Sequence, residues 1–461
     1  MVTGRVAVTW AALVLIATSV VGGPSARAIS LAGDASSDWT VYHGDPAGSG
    51  LSLSVKWVDT AHATWKSPAL DGLLYGEPLV FSHNVYVATE DDTVYALSSA
   101  SGRVVWARHL ARPVPSSLLP CGDISPSVGI TGTPVIDPTR NEIFVVADEL
   151  RNARPAHVLI GLNATSGALE MQRDVDPPGA DPAALLQRTG LTLDNGRVVF
   201  GMGGNDGDCS TYRGQVVSVS ENGANREYFT VDGAPGERQG AIWMGGAAPV
   251  VNASGDVWVS AGNGSVYSSS LPYDDSDSVL ELSPSMHLLQ YFAPSTWPSD
   301  NAQDLDMSTA PILLASGQVV LTGKSRIVYL LDGAHLGGIG HQETSLGDAC
   351  ASDIDGGSAI VGMTVYLPCL SGPVALRVTR SPPSLRILWS SSSGGGPPIV
   401  AAGLVWTIGQ DGVLYGLDPA TGAIRQQATI GTVLNHFPTP SVGDGLLLAP
   451  SSNQVIAFRA G

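Results

Sequence analysis

A central stretch of the chain carries residue types that bind a hard cation. A Gly-Asn-Gly turn occupies residues 262–264, and an acidic segment that contains Asp304 and Asp306 occupies residues 300–306. The two places converge if their strands belong to neighbouring sheets. Amide and carboxylate oxygens of this kind suit calcium. The rest of the chain must then supply the scaffold that holds these two places together.

The first residues predict export. Arg5 precedes an apolar run at residues 6–21, and an A-x-A cleavage site ends at Ala28. This is the layout of a secretory signal peptide, and the run is too short for a membrane anchor. We therefore predict a signal peptide at residues 1–28 and a secreted, extracellular chain from residue 29 to 461 that forms a single domain without a membrane span.

Composition favours many short strands and argues against some partners. The 461 residues include 55 Gly and 31 Pro, with 44% hydrophobic and only 14% charged residues. Such a chain suits strands joined by turns better than disorder. The formal net charge of −18 argues against nucleic acid and against anionic membrane surfaces, because both would repel the protein.

Four cysteines predict two disulfide bonds in an exported protein. They leave three pairings open. Cys350 and Cys369 lie on either side of one strand-like run, which favours that pair and leaves Cys121 with Cys209. A zinc site is the less favoured alternative, because the spacing fits no zinc ribbon.

A repeated unit fills the chain after the signal peptide. Its clearest copy, residues 76–110, has a Pro-containing opening and four strand-like runs broken by turns. The third run is the V-Y-A-L element, and a Ser-Gly turn separates it from the fourth, which contains Trp106. Eight such openings, roughly 40 to 60 residues apart, indicate repeated four-stranded units. Arrayed radially, antiparallel units of this size make a β-propeller. Longer inserts, residues 151–156 and 265–276, should lie at blade ends.

The last unit ends with only three strands. The N-terminal segment at residues 64–66 resembles an outer strand that has no unit of its own. We therefore predict an all-β fold, an eight-bladed β-propeller of four-stranded antiparallel blades, in which an N-terminal strand closes the last blade. Seven blades are the alternative.

The degenerate repeat V-Y-A-L-x-x-x-S/T-G resembles the eight-bladed propeller of pyrroloquinoline quinone (PQQ) alcohol dehydrogenases over essentially the whole mature chain. The stretches DGDCSTYRG, DSVLELSP, YFAPSTW, DLDMSTAP, GKSRIVYLLD and HFPTPS look closer still to the exported actinobacterial and polyvinyl-alcohol-dehydrogenase-like branch. The resemblance implies PQQ and calcium as cofactors.

The resemblance also implies roles for single residues. Asn263 matches a calcium ligand, and Asp304 matches the catalytic base, which is also a metal ligand. Trp243 matches the ring that lies flat under the quinone, and Lys324 matches a basic residue that contacts the quinone carbonyls. Each also has a structural interpretation: a left-handed turn residue, a turn-capping Asp, a Trp packed between blades and a Lys paired with a loop carboxylate.

Departures from the family pattern keep a second function open. Cys209 stands where the family has its second calcium carboxylate, with only Asp206 or Asp208 nearby as replacements. Gln303 replaces the usual Trp before the catalytic Asp, and the vicinal cysteine pair is absent. One hypothesis is an exported quinoprotein-like dehydrogenase that oxidises a small-molecule or polymer alcohol, or a sugar. The other is a non-catalytic propeller that binds a protein or a cell-surface ligand.

Overall fold

A computed structural model describes residues 1, 2, 4, 38–231, 236–433 and 437–461. The predicted signal peptide lies almost entirely outside the described residues. The described residues from 38 to 461 belong to one compact unit. Across the described ranges, no helix is long and apolar enough to span a membrane.

Short strands dominate the described chain. The strands are two to ten residues long and end at turns, as β-branched and aromatic segments broken by Gly, Asn and Asp do. The strands of the first half are β1 (Val58–Lys66), β2 (Leu79–Phe81), β3 (Asn84–Ala88), β4 (Thr93–Ser98), β5 (Val104–His109), β6 (Val114–Pro115), β7 (Ser127–Val128), β8 (Val135–Asp137), β9 (Glu142–Arg151), β10 (Arg154–Asn163), β11 (Leu169–Asp174), β12 (Leu185–Leu186), β13 (Thr192–Asp194), β14 (Arg197–Gly204), β15 (Gln215–Ser220), β16 (Arg226–Thr230), β17 (Val250–Val251), β18 (Val257–Ala261), β19 (Ser278–Leu282) and β20 (Leu288–Ala293).

The second half continues the same pattern after one short helix, α1 (Trp297–Gln303). Four turns of 3-10 helix lie at Tyr42–Gly44, Ser116–Leu118, Pro182–Ala184 and Met244–Gly246. The remaining strands are β21 (Ile312–Leu313), β22 (Gln318–Leu321), β23 (Val328–Asp332), β24 (Gly338–Ile339), β25 (Thr344–Leu346), β26 (Ala359–Val361), β27 (Thr364–Leu367), β28 (Val374–Thr379), β29 (Ser384–Ser390), β30 (Ile399–Ala401), β31 (Leu404–Ile408), β32 (Val413–Leu417), β33 (Ile424–Thr429), β34 (Ser441–Gly443), β35 (Leu446–Ser451) and β36 (Gln454–Ala460).

Eight sheets form the blades of a propeller, as predicted; each has four antiparallel strands, to which β12 and β24 are added in blades 3 and 4. Blades 1 and 2 are β2–β5 and β8–β11, and blades 3 and 4 are β13–β16 and β17–β20. Blade 5 is β21, β22, β23 and β25, and blades 6 and 7 are β26–β29 and β30–β33. Blade 8 is β34, β35, β36 and β1, so the N-terminal strand supplies the outer strand of the last blade. This closure, also predicted, joins the two ends of the chain and removes a free sheet edge.

The Ser-Gly turn of the repeat is explained by contacts between blades. Trp65 of β1 donates its indole N–H to the carbonyl of Ser99 at 2.6 Å, and Gly102 of the same turn has a φ of +66°. A Cβ on Gly102 would lie 2.5 Å from the Trp65 ring, so glycine is required by both backbone and space. Trp106 repeats this contact on blade 2, donating to the carbonyl of Ala164 at 2.9 Å.

An N-terminal segment, residues 39–52, runs across the innermost strands. The amide groups of Val80, Ile136 and Val251 in blades 1, 2 and 4 donate to carbonyls of this segment, and Ile360 and Val400 do the same from blades 6 and 7. Its aromatic pair, Tyr42 and His43, is buried and stacked, with ring centroids 4.3 Å apart. The sequence shows only a Ser/Gly-rich lead-in here, so this axial segment was not predicted.

Topology separates the two faces of the ring. In an antiparallel four-stranded blade, the connection between the second and third strands emerges on the same side as the connection to the next blade. We call this side the upper face. All of the predicted cofactor and metal residues lie on connections of these two kinds.

Both predicted disulfide bonds form. Cys121 is bonded to Cys209 and Cys350 is bonded to Cys369, with Cα–Cα distances of 6.2 and 5.8 Å. The first bond joins the connection between blades 1 and 2 to the β14–β15 connection of blade 3. It therefore fixes an upper-face loop that contains Asp206 and Asp208.

Candidate functional site

Five residues meet on the upper face and are called here the central cluster: Trp243, Asn263, Asp304, Asp306 and Lys324. They come from four different connections in blades 3 to 5. The sequence singled out all five positions, and the structure brings them together through direct contacts.

Lys324 contacts three of the other four residues of the central cluster. Its Nζ lies 2.5 Å from Oδ2 of Asp306 and 3.1 Å from Oδ2 of Asp304. The backbone N–H of Lys324 also donates to the carbonyl of Asp306 at 2.9 Å. The ammonium lies 5.3 Å from the centroid of the Trp243 ring, within the range of a cation–π contact.

The two carboxylates of the central cluster differ in exposure. The Asp304 side chain is 64% exposed, whereas that of Asp306 is 3% exposed. Asp304 lies at the C-terminal end of α1 in a left-handed conformation, with φ 58° and ψ 43°, which Asp tolerates better than most residues. Asp304 can therefore reach a molecule on the upper face, while Asp306 holds Lys324 from below.

Asn263 joins the cluster through its backbone. Its N–H donates to Oδ1 of Asp306 at 2.7 Å, and its carbonyl accepts from the N–H of Gly240 at 2.8 Å. A Cβ on the preceding Gly262 would lie 2.5 Å from Oδ1 of Asp306 and 3.4 Å from Nε1 of Trp243. Gly262 is therefore the residue that lets the turn approach both side chains closely.

Electrostatics keep Lys324 protonated. Burial lowers its pKa, but the Asp306 and Asp304 carboxylates outweigh that effect, so the pKa of Lys324 lies above its usual range. Burial raises the pKa of Asp306, while the Lys324 ammonium opposes that rise. The ammonium is thus a fixed positive charge at neutral pH, and the two carboxylates compensate it.

Asp208 is a third carboxylate near the cluster. Its Oδ1 accepts from the Tyr212 hydroxyl at 2.5 Å. Burial raises the pKa of Asp208, the hydroxyl opposes this, and the charges of Asp306 and Asp304 raise it further. Within the ranges that the structure describes, no group of three or more His, Cys, Asp and Glu side chains is arranged to hold a metal ion.

Sequence reasoning missed an aromatic and cationic extension of the site. The Arg188 guanidinium is 5.4 Å from the ring centroid of Tyr75 and 5.3 Å from that of Phe437. The Phe437 ring lies 6.5 Å from the Trp243 ring, at an interplanar angle of 55°. The pair of rings, Trp243 and Phe437, is therefore contacted by one cation from each side, Lys324 at Trp243 and Arg188 at Phe437, and Arg188 also contacts Tyr75.

Arg188 is buried, and no carboxylate of the described residues lies within ion-pair distance of it, although the charges of Asp123 and Glu90 oppose the effect of burial on its pKa. Its exposed fraction is 8%, and burial lowers its pKa. The nearest signal in the sequence is its position two residues before Gly190, where the opening of blade 3 begins. Asp355, also missed, precedes the opening of blade 6, and burial raises its pKa to about 7.

Comparison with known proteins identifies the fold family. A family model described as "Outer membrane protein assembly factor BamB", from the PQQ-like propellers, matches residues 45–277, which is half of the chain. The chain belongs to the PQQ-like β-propeller family. No curated protein sequence matches it.

Solved structures of PQQ-like propellers agree with the fold. The quinohemoprotein alcohol dehydrogenase from Comamonas testosteroni is similar with a TM-score of 0.68 and 15% identity, over 92% of this chain and 80% of that one. A europium-containing methanol dehydrogenase gives a TM-score of 0.66 at 14% identity, over 92% and 98% of the two chains. BamB from Moraxella catarrhalis gives 0.54 at 14% identity, over 86% and 97%. At these identities the similarity establishes the fold alone.

Proposed function

We propose that this PQQ-like propeller is an exported quinoprotein-like dehydrogenase that oxidises an alcohol or a sugar with PQQ bound on its upper face. The observation that carries the proposal is the set of contacts that Lys324 makes. This residue bonds both Asp304 and Asp306 and lies against the Trp243 ring. The proposal includes removal of residues 1–28 as a signal peptide and an extracellular domain from residue 29, which the two disulfide bonds support.

The upper face suits a planar molecule that carries negative charge. Trp243 and Phe437 offer aromatic surface, and Lys324 and Arg188 offer positive charge at opposite ends of it. A buried guanidinium without a paired anion is costly, so a bound carboxylate beside Arg188 would stabilise it. A flat quinone with carboxylate groups, such as PQQ, has both features.

Calcium does not fit the same residues. Calcium takes six to eight oxygen ligands, but the carboxylates of Asp304 and Asp306 are both bonded to the Lys324 ammonium. The family's remaining carboxylate position holds Cys209, which is in a disulfide bond, and Asp208 is bonded to Tyr212. We therefore derive no step of the reaction through a metal.

The side chains of the chain can perform the remaining chemistry. When bound, PQQ would supply the carbon that accepts hydride. Asp304, exposed beside Lys324, would accept the proton of the substrate hydroxyl. The Lys324 ammonium would hold negative charge that develops on an oxygen at this place. Asp306 keeps the ammonium in position, and Trp243 supports the plane of the bound molecule.

A non-catalytic binding propeller is the second candidate. The family model that matches residues 45–277 is described as an outer membrane protein assembly factor, and the solved BamB structure shares the fold. In that case the upper face would bind a protein or cell-surface ligand without chemistry, and the exposed Asp304 would have no catalytic role.

A dye-linked assay separates the two candidates. The purified protein is incubated with PQQ, and reduction of an artificial electron acceptor is followed with a panel of alcohols and sugars. We expect turnover with at least one substrate and a loss of about 100-fold or more in kcat for Asp304→Asn, the magnitude typical of a removed general base. Asp348→Asn, at a side chain that is 90% exposed, is the matched control. Absence of PQQ-dependent turnover across the panel would favour the binding propeller.

A further inference from the structure

The position between the two carboxylates of the central cluster is filled by an ammonium group. Lys324 Nζ lies 2.5 Å from Asp306 and 3.1 Å from Asp304. The second oxygen of Asp306 accepts from the N–H of Asn263 at 2.7 Å. Both oxygens of the buried carboxylate are therefore occupied by donors from the chain itself.

Two further oxygen atoms near the central cluster already accept hydrogen bonds from the chain. The carbonyl of Asn263 accepts from Gly240, and the Asp208 carboxylate accepts from the Tyr212 hydroxyl. Cys209 offers no carboxylate and is bonded to Cys121. A divalent ion would have to compete with the Lys324 ammonium, the Asn263 N–H and the Tyr212 hydroxyl for these carboxylate oxygens.

The positive charge of the Lys324 ammonium also opposes a metal ion at this place. Two carboxylates hold the ammonium, and the backbone N–H of Lys324 donates separately to the carbonyl of Asp306. A divalent cation a few ångströms from it would meet direct repulsion in a partly buried setting, where charges are weakly screened. Only three lysines occur in the chain, and Lys56 and Lys66 lie on the exposed surface.

We infer that Lys324 supplies the cation of this site and that the upper face binds its ligand without a divalent or trivalent metal. The part of this inference that concerns catalysis rests on the proposed function, because it assigns to Lys324 the role of a metal ion in alcohol oxidation. The inference about metal binding itself does not depend on PQQ.

Terbium luminescence tests the metal part directly. Trp243 belongs to the central cluster, so Tb³⁺ bound between the carboxylates would emit when tryptophan is excited. The wild-type protein should show no saturable, Ca²⁺-displaceable emission at micromolar Tb³⁺, and Lys324→Met should gain it. The double variant Lys324→Met with Asp306→Asn should lose it again, and Lys66→Met is the matched lysine control.

The outcomes are decisive in both directions. Saturable emission from the wild type that Ca²⁺ displaces and Asp304→Asn removes would overturn the inference. A folded Lys324→Met protein without new emission would also overturn it, because the ammonium would then not occupy the metal's place. If Lys324→Met does not fold, the wild-type titration alone decides.

A PQQ titration separates this inference from the proposed function. Binding should have the same Kd within about twofold in EDTA and in millimolar Ca²⁺, because an intrinsic cation needs no added metal. A Kd that falls tenfold or more with Ca²⁺ would overturn the inference and leave the proposed function intact. No binding in either buffer would remove the proposed function, and the terbium result would still decide this inference.

Discussion

Replacing Lys324 by Met should destabilise the fold, and the loss should depend on pH. The substitution leaves Asp306, whose side chain is 3% exposed, without its ion-pair partner. Breaking a buried pair by removing one partner costs about 3–5 kcal/mol. The Lys324 side chain is itself 19% exposed, so water reaches the pair from one side and we expect the lower end, about 3 kcal/mol, at pH 8.

The sign of the pH dependence follows from Asp306. Burial already raises its pKa, and the variant loses the ammonium that opposes this. A carboxyl group whose folded-state pKa is raised binds more protons when folded, so stability falls as pH rises from its unfolded pKa through its folded pKa. At pH 5 more of the variant's Asp306 is protonated. The loss should then shrink toward the cost of an unsatisfied polar group, about 1–3 kcal/mol.

Urea unfolding at pH 5 and pH 8, followed by far-UV circular dichroism, measures both quantities. Lys66→Met, an exposed position on β1, should change the free energy of unfolding by no more than about 0.5 kcal/mol at either pH. The reasoning is refuted if Lys324→Met is as stable as the wild type at pH 8. It is also refuted if its loss is larger at pH 5 than at pH 8.

Three further predictions concern the scaffold and its titration, and all are measured by urea unfolding. Trp65→Ala should cost about 3–5 kcal/mol, because the buried ring closes blade 8 against blade 1; a cost below 1 kcal/mol would contradict the closure. Replacing Cys121 and Cys209 together by Ser should cost about 4–5 kcal/mol from chain entropy, given their separation of 88 residues. As the control, the wild type and the variant should be equally stable under reducing conditions. An unchanged free energy of unfolding under oxidising conditions would count against the bond. Burial raises the pKa of Asp355 to about 7, so the free energy of unfolding of the wild type should fall as pH rises from 4 to 7. Asp355→Asn should reduce that fall by at most about 4 kcal/mol. Asp353→Asn is the matched control, and an Asp355→Asn curve parallel to the wild type would contradict the assignment.

The architecture was readable from the sequence because it repeats. Each opening leads into an innermost strand, and the Ser/Thr-Gly turns at Gly102, Gly167 and Gly422 each lie against an indole ring. The openings recur roughly 40 to 60 residues apart, so blade number and the closing role of residues 64–66 follow from the repeat. Residues 151–156, expected at a blade end, form the tip of the β9–β10 hairpin, whose strands stay paired up to Arg151 and Arg154.

The site was only partly readable, since its contacts join distant connections. The positions of Trp243, Asn263, Asp304 and Lys324 came from resemblance, and their shared face follows from blade topology. A Lys paired with a loop carboxylate was the structural alternative for Lys324, but its pairing with both Asp304 and Asp306 was not predicted, because it depends on side-chain direction across blades 4 and 5. The extension by Arg188 was missed for the same reason: the connections between blades vary in length and carry no periodic signal.

The axial segment at residues 39–52 shows a further limit of sequence reasoning. Its small and polar residues predict an irregular lead-in, yet its carbonyls bond the inner strands of five blades. The hydrogen bonds between this segment and the inner strands use backbone groups, which every residue carries, so no side-chain pattern predicts them.

The most direct test of the central claim, a quinone site on the upper face, is a titration of the mature protein with PQQ, followed by tryptophan fluorescence. The account predicts saturable quenching at micromolar PQQ that is weakened at least tenfold by Trp243→Ala and by Arg188→Met. Trp57→Phe, at an indole that is 47% exposed, should leave the Kd unchanged. Absence of saturable quenching, or equal affinity in all four proteins, would contradict the account and leave a propeller that binds some other partner.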